Sequence, residues 1–375
     1  MRRRAFTVAL TLALALASVA LVFAPGPERI ASPMMGERVP AKVLAVDSSN
    51  VRLLGEVRYG TETLDVEIAE GSFAGTRAKA ANIIRAQLEL DRFYSPGDVA
   101  TVTIPPGWTA DGGAVLTAGN KWHTPAYCWL FGAFALFLVA FGGWTGAKAL
   151  LSFALSCLAI WKGLVPMVLA GVSASLAAFL WTAFLTGAIM FLVGGVTKKA
   201  FAAFGGAMLG VAAALGLAKL TGFLLDVNGA TLPFVQTLLY SGFAHLDLAD
   251  VFTGAAILAA SGAMMDLAMD IAAGMREIVR HNPAVSRREL LLSGLRIGRA
   301  TVGTMTTTLL LAYSGGYLTL LMVFAAQGTE VLDFINSPLV AAEAAKTFVG
   351  SFAILLVAPF TAFVAAMLFA SARKT

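Results

Sequence analysis

The sequence predicts an all-α polytopic membrane bundle of about eight transmembrane helices. A small β-rich extracytoplasmic domain, an OB- or SH3-like barrel, is expected after the first helix. Three observations carry this expectation. The 375 residues are 58% hydrophobic and only 13% charged, with a mean hydropathy of +0.79, whereas a soluble domain is about 45–50% apolar and about 25% charged. The apolar surplus falls in runs of about 20 residues, the length that crosses a hydrocarbon core of about 30 Å. Between the first run and the rest, residues 28–121 alternate apolar and polar positions and carry charges of both signs.

Taken in order, residues 1–27 form the N-terminal signal-anchor. Arg2, Arg3 and Arg4 precede an apolar run from Ala5 to Ala24, longer than the roughly 7–15 residues of a signal-peptide core, so an uncleaved anchor is expected rather than a cleaved signal. In residues 28–121, the stretches Val39–Val46, Leu64–Ile68 and Val99–Ile104 have the period-2 pattern of half-buried strands. Ser95-Pro-Gly-Asp98 reads as a turn. Phe73, Phe93 and Tyr94 are expected in the barrel core rather than on a ligand platform. A linker at Pro105–Gly107 and Gly112–Gly113 leads back to the membrane.

Residues 122–375 make the membrane domain of about seven spans, near 127–147, 149–170, 173–196, 200–225, 251–275, 301–325 and 345–371. The net charge of +5 is distributed as short basic clusters between them. That pattern is topology information rather than a footprint for nucleic acid. Arg2–Arg4, Lys148, Lys198-Lys199, Arg276–Arg299 and Arg373-Lys374 fall on one side, so both termini are expected in the cytoplasm of a bacterial inner membrane and the β-domain outside. Lys162, inside the third span, breaks the rule and must snorkel or pair within the bundle. Gly142-xxx-Gly146 and Gly206-xxx-Gly210 read as close-packing motifs. Leu232–Phe243 is too short to span, which suits an interfacial helix or a re-entrant hairpin.

Polar residues then mark one helical hairpin. Asp266, Asp270 and Glu277 are offset by four and eleven residues and share a face at about 100° per residue. The following span offers Arg296, Arg299, Gly303, Thr307 and Ser314 along one face, with Thr304, Thr306 and Thr308 beside it. A charge in hydrocarbon is costly and calls for protein or water as a neighbour. Two readings follow. Asp266, Asp270, Thr304, Thr307, Thr308 and Ser314 line a polar path for a cation or proton, or Asp270 and Glu277 join Arg296 and Arg299 in an ionic clasp or gate at the cytoplasmic end.

Catalytic alternatives lack their residues. Two carboxylates on one helix do not make a facing aspartyl dyad, and His123, His245 and His281 are scattered. Cys128 and Cys157 sit at or inside apolar runs without a partner spacing, and no phosphate-cradling GxxxxGK[ST] loop occurs. The expectation is therefore no enzyme, no cofactor and no metal. The lipid bilayer is the first partner; a small solute or ion, and a second copy or an envelope protein met through the β-domain, are the others.

These residues also carry a resemblance. The run Gly262–Ile278 (GAMMDLAMDIAAGMREI) looks like the signature helix of the YibE/F family, and Glu289-Leu290, Ser293-Gly294, Ile297–Arg299, Gly303–Leu309 and Leu311–Gly316 look like its second signature. Phe141–Gly146 and Phe191–Gly195 match in order; the β-domain matches loosely through Gly71, Asn82 and Pro96–Asp98. The resemblance implies a bacterial multi-pass membrane protein in which Asp266 holds the family's Met-Asp position. Asp270 stands where that family is expected to carry a small hydroxyl residue, and Thr307 where Asn is expected. The leading expectation is a transporter, permease or channel component; the alternative is an envelope scaffold or sensor whose β-domain binds a partner.

Overall fold

The computed structural model describes residues 2–24, 36–110 and 113–369, with backbone alone for 2–8 and 10. The expectations that rest on the side chains of Arg2–Arg4, the exit at Pro25, Gly112 and Arg373-Lys374 lie outside the described residues. The chain divides into two compact units, Ser32–Phe137 and Met1–Ala31 with Leu138–Thr375.

The first unit is a barrel. Its strands are β1 (Glu37–Asp47), β2 (Val51–Leu54), β3 (Val57–Ile68), β4 (Arg77–Arg85), β5 (Val99–Ile104) and β6 (Leu116–Lys121). β2 is a short hairpin arm on β3, and the other five close in the order β1-β5-β6-β4-β3-β1. Every pairing is antiparallel except β4 with β6. Alternation decides which side chains fill it: along β5, Ala100, Val102 and Ile104 are buried while the residues between them are not. They meet Val43, Leu64, Val66, Ile68 and Leu116 in one apolar cluster. The predicted strands and the Ser95–Asp98 turn are present, the turn closed by the Ser95 amide donating to Asp98 Oδ2 at 2.8 Å.

Of the three aromatics expected in the core, Tyr94 is buried and donates its hydroxyl to the Gly119 carbonyl. Burial pushes its pKa up to about 12. Phe73 is partly buried, edge-on to Trp108 at 5.0 Å. Phe93 departs from the expectation: it is 36% exposed, and Arg58 lies 5.2 Å from its ring centre. Across β3 and β4, buried Glu62 accepts from Asn82 Nδ2 at 2.9 Å and from Ser48 Oγ at 3.1 Å, so this polar pair is satisfied inside the barrel wall.

The second unit is helical. α1 (Arg2–Phe23), α2 (Thr124–Ala159), α3 (Val165–Leu169), α4 (Ala174–Gly194), α5 (Lys198–Leu224), α6 (Val235–Tyr240), α7 (Leu248–His281), α8 (Arg287–Gly316), α9 (Leu318–Ala326), α10 (Val331–Asn336) and α11 (Pro338–Phe369) follow in order, α2 beginning in the barrel unit. Among the described residues five helices are long and apolar enough to cross a membrane, or six if α8 and α9, bent by 62°, form one span. Seven of the eight expected spans fall on these helices with a different division, and the first falls on α1, whose apolar part, Thr11–Phe23, is too short to count among them. Two share the 124–169 stretch, which breaks at Gly143 (φ 53°, ψ −132°) rather than near Lys148. One is divided at Tyr317.

Small residues set the packing. α5, α7, α8 and α11 share a core in which Ala203, Ala207, Ala260, Ala268, Ala353 and Ala362 are buried beside Met264, Ile271 and Val357. At Gly206 an added Cβ would lie 2.5 Å from Thr361 Cα, and at Gly210 it would enter Val357, so this GxxxG motif is a true helix seam. Gly142-xxx-Gly146 is not. Gly142 has open space, and Gly146 abuts the Leu138 and Val139 backbone, because the chain folds back at Gly143. Contacts of Gly206 with Thr361 and Gly210 with Val357 make α5 and α11 antiparallel; Gly254 on Ala174 and Gly194 on Met269 make α4 and α7 parallel.

Lys162 sits in a π-helical turn, Ile160–Leu164, between α2 and α3. Its ammonium donates to the Ala24 carbonyl at 3.0 Å, just past the end of α1. Of the two fates expected for this lysine, a partner within the bundle is the one found, and a helix C-terminus is a favourable place for a cation.

Candidate functional site

The hairpin of α7 and α8 is built by caps at both ends. Asp247 accepts from the amides of Ala249 and Asp250 at the start of α7. Ser286 and Glu289 form a capping box that begins α8, well before the predicted span at residue 301. Gly274 abuts Ile297, and Gly298 abuts Ile271 and, on α11, Ala358. That antiparallel register brings Asp270 level with about residue 300 and Asp266 level with about residue 304.

The predicted site residues all lie on this hairpin, and nearly all on its open side. Gly262, Asp266, Asp270 and Glu277 are exposed on α7, while Met264, Leu267, Ala268 and Ile271 between them are buried in the core. On α8, Arg296, Arg299, Ala300, Gly303, Thr304, Thr307 and Thr308 are exposed, whereas Gly294, Gly298 and Leu309 are buried. The carboxylates, guanidiniums and hydroxyls thus share one outward surface. They do not converge on the centre of the bundle.

The threonines are locally satisfied as donors. Thr304 donates to the Thr301 carbonyl at 2.9 Å, Thr307 to Gly303 at 3.1 Å and Thr308 to Thr304 at 2.9 Å. Their oxygens keep acceptor capacity toward whatever meets this face. Ser314 contacts the Tyr317 hydroxyl at 3.1 Å, at the bend between α8 and α9.

The clasp anticipated from sequence does not form within one chain. No ion pair or hydrogen bond among the described residues joins Asp266 or Asp270 to Arg296 or Arg299. Glu277 pairs with Arg280 at 3.4 Å and lies 4.0 Å from His281, all on α7 and exposed. The reason is directional: both helices turn their apolar sides toward α11 and each other, so their charged sides point the same way.

Sequence reasoning missed three polar contacts. Glu343 and Lys346 form an i,i+3 pair at 2.7 Å on α11, with the ammonium 5.6 Å from the Phe252 ring of α7; the Glu-x-x-Lys spacing was a signal. Asp250 accepts from Ser173 Oγ at 2.7 Å and the Ser175 amide at 3.1 Å, tying α7 to the start of α4. The third is the identity of the Lys162 partner: pairing within the bundle was expected, but not that the Ala24 carbonyl at the end of α1 would accept it.

The family model described as YibE/F-like protein matches residues 130–371. The chain belongs to the YibE/F family. The match starts past the last barrel strand, within α2, and runs to the end of α11, including the whole α7–α8 hairpin but not α1. This YibE/F chain is a membrane protein. No curated protein and no solved structure matches it.

Proposed function

We propose that this YibE/F protein is a transporter, permease or channel component of the bacterial cytoplasmic membrane, in which Asp266 handles a cation or proton. The observation that carries this reading is the α7–α8 face, where two carboxylates and three threonine oxygens lie together with no counter-charge bonded to them among the described residues. A membrane carboxylate of this kind marks a pathway by default. The same reading places both termini inside and the barrel outside; the parallel α4–α7 and antiparallel α5–α11 packing support that alternation. It assigns no reaction chemistry to the protein.

The test is flux in proteoliposomes holding the full chain, read with a pH-sensitive dye and with sodium and potassium indicators. The wild type should move one of these ions. Asp266→Asn should abolish that flux while inserting normally. Loss of expression or assembly in Asp266→Asn would instead assign the residue a structural role.

A second reading, an envelope scaffold or sensor, draws on the barrel. Its strand order, with the single parallel pair, is that of an OB barrel. An open cleft of about 590 Å³ on it is lined by Asp65, Arg77, Lys79 and Trp108, among others. If deletion of the barrel removes function but leaves ion flux intact, this second reading stands.

A further inference from the structure

The open face of α7 and α8 is at odds with lipid. It carries Asp266, Asp270, Arg296 and Arg299 within or beside the apolar stretches of the two helices, and hydrocarbon strongly disfavours charged side chains without partners. A lipid tail offers none.

We propose that a second copy of this chain covers the face, the two hairpins packing about a two-fold axis along the membrane normal. Charge is the first argument. On this surface α7 contributes only acids between Gly262 and Asp270, and α8 contributes the bases Arg296 and Arg299 at about the depth of Asp270. A two-fold along the normal keeps every residue at its own depth and makes the patch meet itself. Asp270 then faces Arg299 of the partner subunit, and the ion pair absent within one chain forms between two.

Space is the second argument. A Cβ built on Gly262 or Gly303 meets nothing within 4 Å, and exposed Ala300 lies one turn from Gly303. These positions let two backbones approach closely in a bilayer. The threonines complete the contact: with their protons committed to their own helix, they offer oxygen acceptors on both sides of the axis. The polar site is therefore incomplete in one chain and closed by the second.

This inference rests on the same face as the transport reading, but it predicts contact between chains and not movement of an ion. The experiment uses the full chain in native membranes, with Cys128 and Cys157, both exposed, replaced by serine. Single cysteines go to Gly303 and Thr307 on the face, and to Leu209 and Phe201, which are exposed on α5. Mild oxidation should convert Gly303→Cys and Thr307→Cys to a species of twice the monomer mass, leaving Leu209→Cys and Phe201→Cys monomeric. Asp270→Arg should reduce cross-linking at position 307, and adding Arg299→Asp should restore it. Inserted protein that stays monomeric at both face positions overturns the proposal. So does equal dimer at the α5 positions, or cross-linking of the face to a different protein. An intact dimer whose flux is unaffected by Asp266→Asn would sink the transport reading and leave this one standing.

Discussion

Gly206 and Gly216 lie on the same helix, and the structure predicts opposite signs for the same substitution at the two. At Gly206 an alanine Cβ would sit 2.5 Å from Thr361 Cα, a backbone atom that no rotamer change can move, and the hydroxyl of Thr361 is closer still. At Gly216 the same methyl meets nothing within 4 Å. Overpacking a well-filled core costs about 1–3 kcal/mol, while replacing a mid-helix glycine by alanine gains roughly 0.5–1 kcal/mol. The difference of those two terms spans roughly 0–2.5 kcal/mol, and because the obstacle is backbone Gly206→Ala should lie toward its upper end. Gly216→Ala should be neutral or slightly stabilising. The measurement is unfolding in mixed detergent micelles, comparing denaturant midpoints of the two variants with the wild type. Equal shifts, or a larger loss at Gly216, would refute the α5–α11 seam.

Further outcomes follow from single contacts. Lys121 donates to Asp98 at 2.7 Å, and this bond, ahead of the Ser95 amide, holds the Asp98 carboxyl below the usual carboxylate range. The unfolded chain then binds more protons across that window, so barrel stability rises with pH through the acid range and is lost as pH falls toward the lowered folded value; Asp98→Asn should flatten that acid limb in a pH series of thermal melts. Tyr94→Phe removes the bond to the Gly119 carbonyl and should cost about 1–2 kcal/mol in barrel stability, with loss of the tyrosine that ionises only near pH 12 in a spectroscopic titration. Lys162→Leu deletes a charge-assisted bond to the Ala24 carbonyl and should cost about 1.5–3 kcal/mol in unfolding of the helical unit, read as a lower denaturant midpoint.

The barrel was legible because alternation acts locally: in β5 and the second half of β3 the residues that read as inward are the ones buried, and in β1 Val39, Ala41 and Val43 follow suit until a bulge before Ala45 shifts the register. The hairpin was legible as a pair of helices and as a set of polar residues sharing a face. The direction of that face was not legible. Periodicity groups Asp266 with Asp270, but only the contacts of Gly274, Gly294 and Gly298 turn the opposite sides of α7 and α8 inward. The breaks escaped for a different reason. Hydropathy averages over a span, so a left-handed Gly143 and the bend at Tyr317 leave apolar content unchanged while redirecting the chain. The start of α8 was available in Ser286-Arg-Arg-Glu289, a capping box, and was masked by the basic run around it.

The central claim is that the Asp266 face meets a polar environment while the rest of the bundle surface at that depth meets lipid. Cysteines at Gly262, Asp270 and Ala273 flank Asp266 along α7, and Leu209 provides a matched control, since Gly210 lies beside Met264 and so places Leu209 at about the same depth. The carboxylates and guanidiniums keep the seam between the two hairpins hydrated, so a small membrane-impermeant thiol reagent should reach the α7 positions along that seam and spare Leu209. An α7 face as unreactive as Leu209 would contradict the account.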